Sequence, residues 1–135
     1  SMCYLDEIVD SGCGIVYGPI GGRRSFYESR RTDIEAAGVL DQRGVVVALT
    51  TDSPILGFDG LLNEVEEAVR EGADPLRAMR MVTINPAKIL GVEDRVGSVE
   101  VGKDANFAIF NAIPGVDMCA HVVYTVCEGV IAYQD

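Results

Sequence analysis

Gly44-Val-Val-Val-Ala-Leu-Thr-Thr-Asp-Ser-Pro54 decides the fold, because it is a short apolar run that stops on a carboxylate. Val45 to Leu49 is rich in β-branched residues and does not alternate with polar ones. Such a run reads as a parallel strand covered on both faces. Thr50 and Thr51 finish the predicted strand, and Asp52 stands at its carboxyl end. In α/β folds that end carries chemistry, since the loops leaving the strands converge there while the strands hold firm beneath them. Pro54 keeps Ser53 out of the helical region, so a turn follows. Asp52 is the leading candidate for a catalytic side chain. The competing reading is a turn residue or helix cap, and position alone does not choose between them.

Downstream, Ile55-Leu-Gly-Phe-Asp-Gly60 is placed to cover the Asp52 carboxylate. Leu61, Leu62, Val65, Ala68 and Val69 recur at helical spacing, with Glu64, Glu66, Glu67 and Arg70 assigned to the opposite, solvent side, and Gly72 ends the helix. Asp74-Pro75 starts another helix as N-cap and first-turn proline, with Leu76, Met79 and Val82 as its buried stripe. Met79 and Met81 read as core filler. Asn85-Pro86 repeats the start signal for a short helix from Ala87 to Leu90, closed by Gly91.

Upstream, Tyr4 to Asp10 suits an amphipathic helix stopped at Gly12, and Ile15-Val-Tyr17 a brief strand closed by Gly18-Pro19. A helix feeding a strand is an unusual opening for a parallel fold, so the expected architecture starts upstream of this sequence. Gly21 to Arg31 holds four of the eleven Lys and Arg residues. Arg23 and Arg24 there could receive a substrate carboxylate or another anion. The plainer reading is a solvated loop whose arginines pair with Glu28, Asp33 and Glu35. Thr32 or Asp33 is a candidate cap for a short helix through Ala37 that leads to Gly38.

The chain has 135 residues, 48% of them hydrophobic, enough for one domain with a real core. A net charge of −10 argues against a nucleic-acid surface. Cys3, Cys13, Cys119 and Cys127 show no C-x-x-C spacing. With no signal peptide in the sequence, this predicts a cytoplasmic protein whose thiols are small buried groups. No apolar run approaches a membrane span, so no membrane partner is expected. From Asp94 the texture turns β-rich: Gly97 to Phe110 alternates short runs with Gly turns, and Val122 to Cys127, Glu128-Gly129 and Val130 to Tyr133 read as a hairpin. The predicted division is therefore 1–92 and 93–135. His121, the one histidine, reads as structural.

These residues carry a resemblance. Gly18-Pro19-Ile20, Arg24-Ser25 with Glu28, Ala48-Leu-Thr-Thr-Asp-Ser-Pro54, Ala68-Val-Arg-Glu-Gly72, Thr83-Ile-Asn-Pro-Ala87, Ile89-Leu-Gly91 and Asp94-Arg-Val-Gly-Ser-Val-Glu-Val-Gly-Lys-Asp-Ala105 resemble, in combination and order, the carboxyl-terminal part of the metal-dependent amidohydrolase superfamily in its imidazolonepropionase-like branch. The resemblance implies an α/β chain: the last two βα units of a (β/α)8 TIM-type barrel in 1–92, then the C-terminal strands of a small β-sandwich in 93–135. Ile15 to Tyr17 would be the seventh barrel strand and Val45 to Thr51 the eighth. It implies hydrolysis of C–N bonds, in a cyclic amide or peptide-like small molecule, by water activated on a divalent metal: zinc first, with iron or manganese as alternatives. Asp52 would be both metal ligand and catalytic group, taking a proton from that water and handing it to the leaving nitrogen.

The departures from the family pattern also shape the expectation. Ser53 stands where close relatives often carry His and would alter substrate contacts, and Asn106 stands where the motif usually continues with Asp. The family's metal-binding histidines, and the lysine that some members carboxylate, would lie upstream. A catalytic zinc needs three protein ligands. This chain, with only Asp52, is expected to bind no metal and to be inactive alone. A quarter of a barrel leaves strand edges open, so a homo-oligomer is expected. Two alternatives are a non-catalytic self-assembling module and one half of a split enzyme.

Overall fold

The computed structural model describes residues 4–20 and 33–135. Strand β1 (Ile15–Tyr17) lies parallel to β2 (Val47–Leu49), with Ile15 opposite Val47, Val16 opposite Ala48 and Tyr17 opposite Leu49. All three β2 residues are buried, as an apolar run without alternation requires. The strand is shorter than the predicted Val45 to Thr51 because both ends are committed elsewhere. Val45 N–H closes the preceding helix on Leu40 O at 3.0 Å, and Thr51 O accepts from Leu56 N–H in a turn.

The far edge of β2 is not left bare. Leu49 N–H donates to Met81 O at 2.9 Å, and Val47 O accepts from the Asn85 side-chain amide at 2.8 Å. This corrects the expectation of an open edge there: the connection between two helices satisfies it. It also corrects Asn85, which is a buried strand-edge partner within the first turn of its helix. Asn85→Ala removes that donor and is expected to cost about 1–3 kcal/mol in urea unfolding. An unchanged midpoint would show that the bond contributes nothing.

Among the described residues, five α-helices accompany this pair. Helix α1 (Leu5–Ser11) ends at Gly12 in the left-handed region, as read. Helix α2 (Ala36–Gln42) begins where the predicted helix was to end and carries Gly38 inside it. Gly38 is buried there because a Cβ would lie 3.3 Å from Ala73, so its absence lets the backbones close. The N-cap is Glu35, with no side-chain cap bond; Asp33 gives its carbonyl to Ala36 N–H, and Thr32 lies outside the described residues. Helix α3 (Leu61–Arg70) follows a 3-10 turn, Phe58–Gly60. Helix α4 (Pro75–Arg80) is capped as predicted, Asp74 Oδ1 accepting from Arg77 N–H at 3.0 Å. Its buried stripe is partly as read: Met79 and Val82 pack half-buried against the core and Ala78 and Met81 are enclosed, whereas Leu76 is 65% exposed. One short helix buries one narrow face, and that face is set by Ala78. Helix α5 (Ile84–Leu90) ends at Gly91 in the left-handed region.

Arg77 joins α4 to α2. It pairs through Nε with the Asp41 carboxylate and donates from Nη2 to Asp41 O at 2.7 Å. The hydrogen bond and charge of Asp41 raise the Arg77 pKa further. The core gathers Leu40, Val47, Leu49, Val65, Ala68 and Met81 between the helices and the parallel pair.

A second sheet, β3 (Phe107–Phe110), β4 (Val122–Cys127) and β5 (Val130–Gln134), is antiparallel in the order β3-β4-β5. Glu128 and Gly129, both with positive φ, make the tight turn of the predicted hairpin. Within 97–110 only β3 is a strand. The turns before it are held by Arg95–Asp104 at 2.7 Å and by Ser98, whose hydroxyl donates to Glu100 and accepts from Lys103, each at 2.6 Å. The Ser98 hydrogen bond and the Lys103 charge hold the Glu100 carboxyl below the usual carboxylate range. Cys13, Cys119 and Cys127 are exposed, which corrects their reading as buried thiols. They fall in a loop, in a turn and at a strand end, where the chain lies at the surface; Cys3 lies outside the described residues. No helix among the described residues is long and apolar enough to cross a membrane.

Candidate functional site

The two parallel strands finish side by side. Thr50 N–H donates to Tyr17 O at 3.0 Å, carrying the ladder one residue past β2. Gly18 then packs directly on Thr50: a Cβ there would run into the Thr50 carbonyl oxygen and lie 3.0 Å from its N and C atoms. The strand ends meet because position 18 has no side chain.

Asp52 follows with φ +50°, a left-handed conformation that Asp tolerates better than most residues. Its N–H donates to Thr50 Oγ1 at 3.1 Å, and its carbonyl accepts from Ile55 N–H at 2.9 Å. The turn is therefore built by the Asp52 main chain. The side chain takes no part in it. No side-chain cap bond starts the 3-10 turn or α3, and no hydrogen bond engages the Asp52 carboxylate among the described residues. The helix-cap reading is thereby set aside, and the carboxylate is exposed.

Asp52 lines an open hollow of about 500 Å³ with Leu49, Thr50, Thr51, Ser53, Phe58 and Leu61. Ser53 and Asp52 thus share one hollow. The segment Ile55 to Gly60 does not cover the carboxylate as expected. Its backbone bonds close the turn onto Thr51 and Asp52 and then wind the 3-10 turn, so it supplies a wall in Phe58, itself 86% exposed. Arg23 and Arg24 lie outside the described residues.

Sequence reasoning misplaced Glu64. It is 1% exposed, and its Oε2 accepts from Ile20 N–H at 2.5 Å. The signal was present: Leu61, Glu64 and Ala68 fall at i, i+3 and i+7, on the face that packs inward. A carboxylate on an apolar face was assigned by its chemistry when its phase placed it inside.

Among the described residues no group of three or more His, Cys, Asp or Glu side chains could hold a metal ion. The residues at the hollow offer one carboxylate, so by themselves they do not fit a metal centre. His121 stands in the β-rich part, its Nδ1 against Cys119 O at 3.0 Å and its Nε2 3.3 Å from Asp135. The arrangement at β2 is one exposed carboxylate, beside three hydroxyl residues, at a strand end. It can accept a proton or meet a cation, and it needs further groups to do more.

Residues 22–132 match the sequence model of the Amidohydrolase family. An imidazolonepropionase of Shewanella baltica strain OS185 is 36% identical over 138 residues, covering 89% of this chain and 32% of that protein. The chain thus spans about a third of the length of the curated relatives it matches. The crystal structure of an amidohydrolase from Thermotoga maritima MSB8 superposes with a TM-score of 0.88 at 31% identity, over 97% of this chain and 34% of that one. An adenosine deaminase from Xanthomonas campestris with bound zinc shares the fold, with a TM-score of 0.71 at 21% identity over 99% and 35% of the two chains.

Proposed function

Because the chain belongs to the amidohydrolase family, we propose that it supplies the carboxyl-terminal portion of a metal-dependent hydrolase that cleaves a C–N bond, with Asp52 as its contribution to the reacting centre. The observation that carries this reading is the exposed Asp52 carboxylate at the carboxyl end of a buried parallel strand, lining an open hollow. In this reading residues 1–92 are the last two βα units of a barrel and residues 93–135 the closing strands of a β-sandwich. The parallel pair flanked by helices and the separate antiparallel sheet support that division.

Asp52 would ligate a divalent metal, zinc first and iron or manganese as alternatives, which in such enzymes supplies an activated water. The other ligands come from outside the described residues. The residue's own chemistry is acid–base: one carboxylate oxygen takes a proton and returns it to a leaving nitrogen. The substrate is a small cyclic amide, and the relatives' name makes an imidazolone ring bearing a propionate the first candidate. Arg23 and Arg24 would then receive its carboxylate, and Ser53 would contact the ring. The isolated chain is inactive in this reading, cytoplasmic and self-associating. Exposed apolar residues on both sheets, Val16 in β1 and Val130 and Ile131 in β5, support the self-association.

Equilibrium zinc binding, with mass determination in solution, tests this. The chain and its Asp52→Asn variant are titrated alone, and then with the part of the Shewanella baltica imidazolonepropionase that precedes the matched region. Alone, the two are expected to bind zinc equally poorly and to self-associate. With the complementary part, the parent gains a tight site that the variant lacks. Tight zinc binding by the chain alone, or a site that survives Asp52→Asn, would sink the assignment.

A further inference from the structure

Asp52 sits in the left-handed region, and a residue with a Cβ prefers to leave that region, so the turn around it has to hold it there. One of the holding bonds comes from the end of the strand: Thr50 Oγ1 accepts from Asp52 N–H at 3.1 Å. Thr50 is a firm base for that oxygen. Its N–H donates to Tyr17 O at 3.0 Å, and its carbonyl oxygen occupies the space that a side chain on Gly18 would need. Branching at Cβ restricts χ1, so the hydroxyl is placed with little rotational freedom left to lose. The other bonds of the turn join later residues, Ile55 N–H to Asp52 O at 2.9 Å and Leu56 N–H to Thr51 O at 3.2 Å. They close the loop without touching the amide of Asp52. Among the described residues, Thr50 Oγ1 is the group that ties that amide to the paired strands. A strand end asks only for a β-branched residue, which Val would supply equally well; the hydroxyl is what adds the bond.

We propose that Thr50 is a positioning residue: its hydroxyl fixes the Asp52 backbone relative to β1 and β2, and so aims the carboxylate into the hollow. This rests on the reading of Asp52 as the reacting group. The φ of Asp52 sets the direction in which its Cβ leaves the chain. A carboxylate that takes and returns a proton needs that direction fixed, because a misplacement of about 1 Å can cost about a hundredfold in rate. Thr50 also lines the hollow, so direct contact with substrate is the competing role. Kinetics separates the two, since positioning of the reacting group acts on kcat, whereas a contact made equally in ground and transition states acts on KM.

Thr50→Val keeps the branching and removes the oxygen, whereas Thr50→Ser keeps the oxygen, and NMR of the chain reads both without any activity. In Thr50→Val, exchange of the Asp52 amide is expected to speed by about fivefold, the loss of one hydrogen bond. The amide–Hα NOE within Asp52, strong where φ is positive, should weaken. The β2 amides should keep their protection, and Thr50→Ser should restore the Asp52 signals. In the chain complemented by the preceding part of the Shewanella baltica enzyme, Thr50→Val should lower kcat by about tenfold with KM within about twofold of the parent, and Thr50→Ser should recover most of the rate. Unchanged exchange and NOE at Asp52 in Thr50→Val overturn the proposal. So does equal loss of protection along β2, which would mark a purely structural hydroxyl, and so does a raised KM at unchanged kcat, which would make it a substrate contact. If the Asp52 amide responds but the complemented parent hydrolyses nothing, it is the Asp52 reading that fails, and the hydroxyl is left as a turn bond with no catalytic role.

Discussion

Gly18→Ala is expected to lower the unfolding free energy by about 3 kcal/mol or more, seen as a large fall in the urea midpoint. Two costs act together. Gly18 has φ +146°, a conformation that side-chain-bearing residues rarely adopt, and forcing one there costs of order 1–3 kcal/mol. The added Cβ also meets the Thr50 carbonyl oxygen, and Thr50 cannot simply retreat, because its N–H is bonded to Tyr17 O. Overpacking of this kind costs about 1–3 kcal/mol more. Against a usual total of about 5–15 kcal/mol, a loss of that size is a large fraction of the stability. Gly12→Ala is the control. Gly12 also has positive φ, at +66°, but nothing lies within 4 Å of a Cβ there, so its loss should be about 1 kcal/mol. Equal midpoints for the two variants would show that the approach of Gly18 to Thr50 carries no load.

The contrast between those glycines also marks what the sequence could disclose. Local rules read the helix stop at Gly12, the Asp74 cap and the Glu128-Gly129 hairpin, because each is decided within a few residues of backbone chemistry. The buried run before Asp52 was legible for a related reason: apolar residues on both faces of a strand leave one kind of place for it, and the carboxylate follows at its end. What depended on a distant partner was lost. Gly38 looked like a helix end until Ala73 came against it. Asn85 looked like a cap, although its amide serves a carbonyl 38 residues away. Glu64 looked like solvent surface because its partner, Ile20 N–H, is a backbone group that no side-chain pattern announces. The family was legible in motif order, and the profile match and relatives bear it out.

Asp52→Asn is expected to reduce hydrolysis of the imidazolone ring by about a thousandfold, measured with the chain complemented by the preceding part of the Shewanella baltica enzyme. The substitution suits the question because it leaves the turn alone. Asn adopts the left-handed conformation as readily as Asp, and both bonds that build the turn, to Thr50 Oγ1 and from Ile55 N–H, use the main chain. Stability should therefore shift by less than about 0.5 kcal/mol, as for a surface substitution without a broken bond. What changes is chemistry: the amide oxygen is a poor base and a weaker cation ligand, so proton transfer and the charge at the centre are lost together. Ser53→Ala separates this from crowding in the hollow. It removes a neighbouring hydroxyl that also lines the space, but no basic group, and its effect should fall mainly on KM, within about tenfold. If Asp52→Asn keeps its rate within tenfold of the parent while Ser53→Ala loses more, the reacting group is not the carboxylate at the end of β2. A thousandfold loss with an unchanged urea midpoint would assign Asp52 a role that the turn alone cannot explain.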